Sequence, residues 1–242
     1  MKKIIGFFAT ILLLIACGKE NKFNTEFGSI LVINASPSAS TATTTMNVFF
    51  DTLIKVGSPI AFRGNSGYLA ATPGSRTIQV RPAGSNAINY INLTNQQVEF
   101  NKATTLVVYD TTTASSTALR SVRLNDDLSL PASGQVKVRF LHLAPNAPAV
   151  DVTLVRTSGT TVDSVTLTNR SYLGTNPNAA SLSAFAGIPS GVYTIRVKLA
   201  GTQTVALQST NANLSALNGI YTLFAAGTAV GAPLTNNIIR HF

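Results

Sequence analysis

The sequence repeats itself over the length of a whole domain. Ile33-Asn34-Ala35-Ser36-Pro37-Ser38-Ala39 lines up with Leu141-His142-Leu143-Ala144-Pro145-Asn146-Ala147 at an offset of 108. Gly74-Ser75-Arg76-Thr77-Ile78-Gln79-Val80-Arg81 lines up with Gly191-Val192-Tyr193-Thr194-Ile195-Arg196-Val197-Lys198 at 117. The same 117 relates Asn101 to Asn218, Thr105-Leu106 to Thr222-Leu223 and Val122-Arg123 to Ile239-Arg240. A period above 100 residues is too long for a solenoid unit and matches an ordinary domain. The 242 residues are therefore expected to form two related domains, the second with longer loops. Pro, Ser and Gly punctuate the pattern at Ser129-Leu130-Pro131-Ala132-Ser133-Gly134, which sets the junction there.

Local signals within each copy are those of strands. Val136-Lys137-Val138-Arg139-Phe140 and Ile195-Arg196-Val197-Lys198-Leu199 alternate apolar with basic residues, the period of a strand with one buried face. Leu106-Val107-Val108-Tyr109 and Ile220-Tyr221-Thr222-Leu223-Phe224 read as more fully buried strands. Gly, Pro, Asn and Ser clusters recur at the spacing of sandwiches and barrels. Parallel pairing is expected to need helical crossovers, and no segment after the first 17 residues has a helical period, so antiparallel sheets are expected. The expected fold is all-β: two tandem antiparallel β-sandwich domains, immunoglobulin-like, of about seven strands each. Only 11% of residues are charged, against 51 Ser plus Thr and 20 Asn. Such a surface is solubilised by hydroxyls and amides, which argues against long surface helices, coiled coils and disorder.

The N-terminus carries an address. Met1-Lys2-Lys3 precedes an apolar run from Ile4 to Ala16, 13 residues long, too short for the roughly 20 that span a bilayer. A basic start and short apolar core describe a secretory signal peptide. Leu14-Ile15-Ala16-Cys17 resembles the bacterial lipobox, in which the Cys is alkylated with diacylglycerol and becomes the acylated N-terminus. Cys17 is the only cysteine, so it is assigned as the lipidation site, and disulfides and Cys-cluster zinc sites are excluded. Cleavage removes Lys2 and Lys3 and leaves 16 basic against 9 acidic residues, a charge of +7. Gly18 stands where an inner-membrane retention Asp would stand, which points to the outer membrane, on its periplasmic face or the cell surface. The expected organisation is a signal peptide over 1–16, a lipidated tether over 17–27, sandwich 1 over 28–128, a linker over 129–134 and sandwich 2 over 135–242.

Arg139, His142, Pro145, Pro148 and Asp151 form an Arg-x-x-His-x-x-Pro-x-x-Pro-x-x-Asp core between Val136 and Val152. This resembles the signature of DUF4397 domains, and Ile188-Pro189-Ser190-Gly191-Val192-Tyr193 is similar to that family's second characteristic stretch. The second copy carries the resemblance well and the first in outline, with Asn34 for His142, Ser40 for Pro148 and Asn47 for Asp151. The resemblance implies an exported protein, often with tandem domains behind a lipoprotein signal. It implies no activity, ligand or catalytic residue.

His142 and Asp151 are the pair that could orient a catalytic base. No Gly-x-Ser-x-Gly elbow accompanies them, and their counterparts Asn34 and Asn47 cannot do acid–base chemistry at neutral pH. The pair is read as a contact that fixes the loop between two strands. His142 and His241 are too few for a transition-metal site, and Asn125-Asp126-Asp127 is read as a polar turn rather than part of a calcium loop. Asp51, Asp110, Asp151 and Asp163 are scattered, not the paired carboxylates of a glycosidase. No metal or other cofactor is expected. Lys137, Arg139, Arg196 and Lys198 would form a basic patch if their strands were neighbours. Those four, with His142 and Asp151, are the candidate ligand contacts. Asp51-Thr52-Leu53, Asp110-Thr111-Thr112 and Asp163-Ser164-Val165 resemble an O-glycosylation sequon of bacterial envelope proteins.

The reading placed first is a non-enzymatic cell-envelope lipoprotein that binds or scaffolds. Its expected partners are the membrane, through the lipid anchor, and an envelope protein or anionic glycan, not nucleic acid. Second comes a surface glycan-binding or adhesion module, which predicts an exposed cluster of Tyr and Arg. A hydrolase using His142 and Asp151 is ranked last.

Overall fold

Sixteen strands and one short helix are seen in a computed structural model that describes residues 26–37, 45–84, 89–110, 119–145, 147–158, 160–228 and 234–241. The expected signal peptide, Cys17, Ser40, Thr111 and Thr112 lie outside the described residues. The first half contributes β1 (Gly28–Asn34), β2 (Met46–Phe50), β3 (Leu53–Ile54), β4 (Asn65–Ala71), β5 (Gly74–Pro82), β6 (Ile91–Val98), β7 (Ala103–Tyr109) and β8 (Arg120–Asp126). The second half begins with β9 (Gln135–His142), β10 (Val150–Ser158), β11 (Thr161–Arg170) and the helix α1 (Ala179–Ser183). It continues with β12 (Ala186–Pro189), β13 (Gly191–Leu199), β14 (Val205–Leu214), β15 (Ile220–Ala226) and β16 (Thr235–Arg240).

The protein is all-β and built of sandwiches. Sheets of order β4-β1-β7-β8 and β3-β2-β5-β6 form the first half, and β12-β9-β15-β16 and β11-β10-β13-β14 the second. The two orders are the same, with eight strands in each half rather than about seven. Register extends the equivalence: Asn47 stands opposite Arg81 as Asp151 stands opposite Lys198. It also corrects one alignment. Leu124 is level with Thr105 as Ile239 is level with Thr222, so Leu124, not Val122, matches Ile239. The two-residue slip left no trace in the apolar pattern because it keeps every side chain on its face.

One pair in each half is parallel, β1 with β7 and β9 with β15. The expectation of purely antiparallel sheets is corrected here. The length that a parallel crossover requires is supplied by strands of the facing sheet instead of a helix.

Alternation sets the core inside each half. Ile78 and Val80 of β5 and Ile195 and Val197 of β13 point inward. A third core lies between the halves, where Leu31, Val107 and Tyr109 meet Leu141, Leu143 and Phe224. The strands β1, β7, β9 and β15 are therefore buried on both faces, which is why they read as nearly unbroken apolar runs.

The facing inner sheets run their strands in the same direction. Midway along the strands Arg139 of β9 reaches Thr105 of β7, and at their ends Tyr172 packs on both Tyr109 of β7 and His142 of β9. Ser183 of α1 accepts from the Asn125 N–H on β8, while Tyr68 of β4 meets His241 just beyond β16. The strand orders thus oppose each other in reverse, the arrangement of an approximate two-fold axis along the strands.

Candidate functional site

The six candidate residues do not converge. His142 is buried. Its Nδ1 accepts from the Ala144 N–H at 3.3 Å, so its Nε2 is the donor to Pro148 O at 3.0 Å. Burial lowers its pKa, and the ring is neutral. Asp151 accepts instead from the backbone N–H groups of Asn169 and Gly201, at 2.8 and 2.9 Å, and these bonds lower its pKa. The expected His142–Asp151 contact is therefore corrected: each side chain secures a different loop. The first copy clarifies the role of His142. Asn34 Oδ1 accepts from the Ser36 N–H, also two residues on, and Asn34 Nδ2 donates to Ile60 O. Imidazole and amide share the bond to the N–H two residues on, while the donor bond goes to Pro148 of the same loop in one copy and to Ile60 of a distant segment in the other.

The basic patch is also corrected. Lys137 and Arg139 lie on β9 and Arg196 and Lys198 on β13, in different sheets. Lys137 pairs with Asp127 at 2.7 Å, Arg196 bonds Gln208, and Lys198 bonds Gln203. Asp127 is held at about 2 by the Lys137 ammonium and the Ser129 hydroxyl.

Arg139 enters the seam between the halves. Its guanidinium lies 2.8 Å from Asp126 Oδ1, both side chains sealed from solvent. Arg139 Nε donates to Thr222 Oγ1 at 2.8 Å, and an Nη donates to Thr105 Oγ1 at 2.9 Å. Thr105 and Tyr68 hydroxyls each donate to Asp126 Oδ2 at 2.7 Å. His241 joins Tyr68 Oη to Thr222 Oγ1 through its two nitrogens, at 2.6 and 2.8 Å. One proton arrangement satisfies every bond: Thr222 donates to Nε2, and Nδ1–H donates to Tyr68. The result is a closed circuit from Arg139 through Thr222, His241 and Tyr68 to Asp126. Burial above all, with Arg139 adding to it, lowers His241 to about 4 and keeps it neutral. Phe185 covers the guanidinium, 4.6 Å from ring centroid to Cζ.

These residues are repeat partners. Tyr68, Leu31, Thr105 and Asp126 face Phe185, Arg139, Thr222 and His241, the first-copy set against its second-copy equivalents by strand register. Asp126 was expected in a polar turn and instead ends β8 inside the seam. The one sequence signal for the circuit is Thr105 and Thr222, a hydroxyl kept twice at the same place in an apolar strand.

Beside the circuit opens a groove of about 950 Å³, between the β6–β7 turn, β8, the linker and α1. Lys102, Thr104, Arg123, Asn125, Asp127 and Ser183 line it, a wall of hydroxyl, amide and charged groups. Its aromatic complement is not the expected one. All six tyrosines, residues 68, 90, 109, 172, 193 and 221, pack into or against the three cores, so the exposed Tyr–Arg cluster predicted by the glycan reading does not form. Thr52 and Ser164 of the sequon-like triplets are exposed. Among the described residues no three His, Cys, Asp or Glu side chains are grouped to hold a metal.

A family model described as a domain of unknown function, DUF4397, matches residues 28–153. The match runs through the whole first half and into β10, so the first copy carries more of the family pattern than expected from its motif. No curated protein matches the chain. Solved structures that resemble it distantly include two from Bacteroides. A leucine-rich repeat protein from Bacteroides thetaiotaomicron is 11% identical over 88% of this chain, with a TM-score of 0.23. The chain spans 27% of that protein's length. A proposed cell adhesion protein from Bacteroides uniformis is 8% identical over 90% of this chain and all of its own, with a TM-score of 0.25.

Proposed function

The chain belongs to the DUF4397 family, and from that membership and the geometry of the seam we propose that it is a non-enzymatic cell-envelope lipoprotein whose paired sandwiches bind or scaffold a partner. The observation that carries this reading is the closed Arg139–Asp126–His241 circuit. It commits the chain's most chemically capable side chains to holding two sandwiches as one rigid body. A rigid body with long flanking loops is suited to presenting a surface. The N-terminal Lys2-Lys3, the apolar run and Cys17 support export and lipid anchoring at the outer membrane. Two or three acyl chains anchor stably, at about 0.8 kcal/mol per buried methylene.

The polar groove favours a second reading, in which the ligand is a hydroxyl- or amide-rich chain such as an envelope glycan. Its recognition would rest on hydrogen bonds from Arg123, Asn125 and Ser183 rather than on tyrosine stacking.

Crosslinking in the native envelope followed by pull-down tests the first reading. A reproducible protein partner, lost when the seam is broken by substitution, is the expected result. Turnover of an envelope substrate by the purified protein would overturn it. Intact mass and membrane flotation of the protein and its Cys17→Ser variant test the anchor, and an unmodified Cys17 in a protein that still floats would refute it.

A further inference from the structure

One end of the molecule collects what the rest of the surface lacks. Gly28 opens β1 level with Ala71, Ser29 is level with Ala103, and Gly74 is level with Val98. The β6–β7 turn therefore lies where the chain enters the fold, and the Asn101 N–H donates to Phe27 O. Because the inner strands of both halves run the same way, the equivalent β14–β15 turn lies at this end too. So do the β2–β3 and β10–β11 hairpins and the linker. Seven of the nine large apolar side chains that stand exposed among the described residues are here, 48% to 86% exposed.

The most exposed are placed by the repeat. Phe100 and Leu217 occupy the same position in the two copies, each followed by an asparagine at positive φ, Asn101 and Asn218. Each turn thus holds an apolar side chain outward, away from any core. Leu53, Ile54 and Val162 extend the surface along the hairpins, and Leu130 along the linker. Scattered apolar side chains need no explanation, but a concentration at one end marks a contact surface.

Charges at this end are largely neutralised in place. Asp51 pairs with Arg76 at 3.3 Å, Asp127 with Lys137 at 2.7 Å, and Asp163 with Arg156. Glu26, Glu99 and Lys102 also lie here. Paired charges oppose partial desolvation less than isolated ones.

We infer that this end is a lipid-seating surface: Phe100, Leu217 and their neighbours dip into the interface of the bilayer that holds the anchor. The tether decides the occupant. It runs from Cys17 to Glu26, at most about 30 Å when fully extended, and it joins the fold at this end. Shorter paths bring the apolar tips to the depth at which amphipathic surfaces rest, roughly 5–10 Å into the headgroup boundary. The inference rests on the lipoprotein reading.

The test uses the lipidated protein in phosphatidylethanolamine–phosphatidylglycerol vesicles. Cys17 is the lone cysteine, and its thioether is inert to thiol reagents. Phe100→Cys, Leu217→Cys and Val205→Cys therefore each offer one thiol for an environment-sensitive fluorophore. Val205 is the control, an exposed apolar residue toward the opposite end, level with Lys198. Probes at 100 and 217 are expected to shift to the blue on vesicles and to be quenched by brominated lipid, with no change at 205. Probes at 100 and 217 that stay water-like would overturn the surface. Shielding without bromolipid quenching would assign a protein occupant and overturn it as well. Intact mass of the same samples separates the two readings. Acylated Cys17 with water-like probes sinks the seating surface alone, and unmodified Cys17 sinks the anchor and the seating with it.

Discussion

Replacing Arg139 with methionine keeps most of the side chain's volume and removes its charge and all its donors. Asp126 would remain sealed in the seam, where its contact with the guanidinium is 2.8 Å. Removing one partner of a buried ion pair costs roughly 3–5 kcal/mol. The Tyr68 and Thr105 hydroxyls still donate to Asp126, which places the expected cost at the lower end, about 3 kcal/mol. Thr105 and Thr222 each lose a donor, and Phe185 keeps an apolar stem to pack on. Urea unfolding followed by far-UV circular dichroism measures the cost. The same experiment reports whether the halves still unfold together, since a weakened seam should split one transition into two. Asp126→Asn with Arg139→Met should recover much of the loss, because a neutral pair leaves no buried charge. A single variant costing less than about 1 kcal/mol, or a double variant costing the sum of both singles, would refute the coupled circuit.

Other consequences follow from the same bonds. His241 is neutral in the fold, with its pKa lowered from 6.5 to about 4. The unfolded chain takes up that proton first as pH falls, so the stability due to His241 is complete above pH 6.5 and is lost toward pH 4. The loss is about 3 kcal/mol at 1.36 per pH unit, and a His241→Gln variant should flatten that part of the stability–pH curve. His142→Asn installs the residue that its copy uses and should cost under about 1 kcal/mol, whereas His142→Ala leaves the Ala144 N–H and Pro148 O unsatisfied and should cost about 1–3 kcal/mol in thermal unfolding. Gly28→Ala would place a Cβ 2.4 Å from Val98 Cγ1 and 2.7 Å from Glu99 O. Calorimetry should show a loss of about 1–3 kcal/mol.

What could be read from the residues stops at the surface of each sandwich. Alternation in Ile195-Arg196-Val197 and in Val138-Arg139-Phe140 is the same signal, and it correctly sends the apolar residues to a core. It says that Arg196 and Arg139 leave that core. It does not say what covers them, and one meets solvent while the other meets Asp126. The seam is legible in the nearly unbroken apolar runs of β7 and β15, and in the hydroxyl each keeps at Thr105 and Thr222, which announce burial on both faces without naming the second partner. Asn125-Asp126-Asp127 hid the carboxylate for the same reason, since Asp127 does sit in an exposed turn while its neighbour closes the circuit. His142 stands out in the sequence, but its partners lie on the loop it closes, and a Pro carbonyl leaves no side-chain signature.

The two faces of the seam are equivalent in topology and unlike in chemistry, Leu31 against Arg139 and Asp126 against His241. A fresh tandem duplication would present two identical faces, and each could pair with its twin in another molecule as readily as within the chain. Alternate pairing of first halves and second halves would string molecules into an open fibre. The divergence forbids this: two first halves brought together would bury two carboxylates with no guanidinium between them, and two second halves would bury two guanidiniums. With a linker as short as residues 129–134 raising the local concentration of the correct partner, each chain closes on itself.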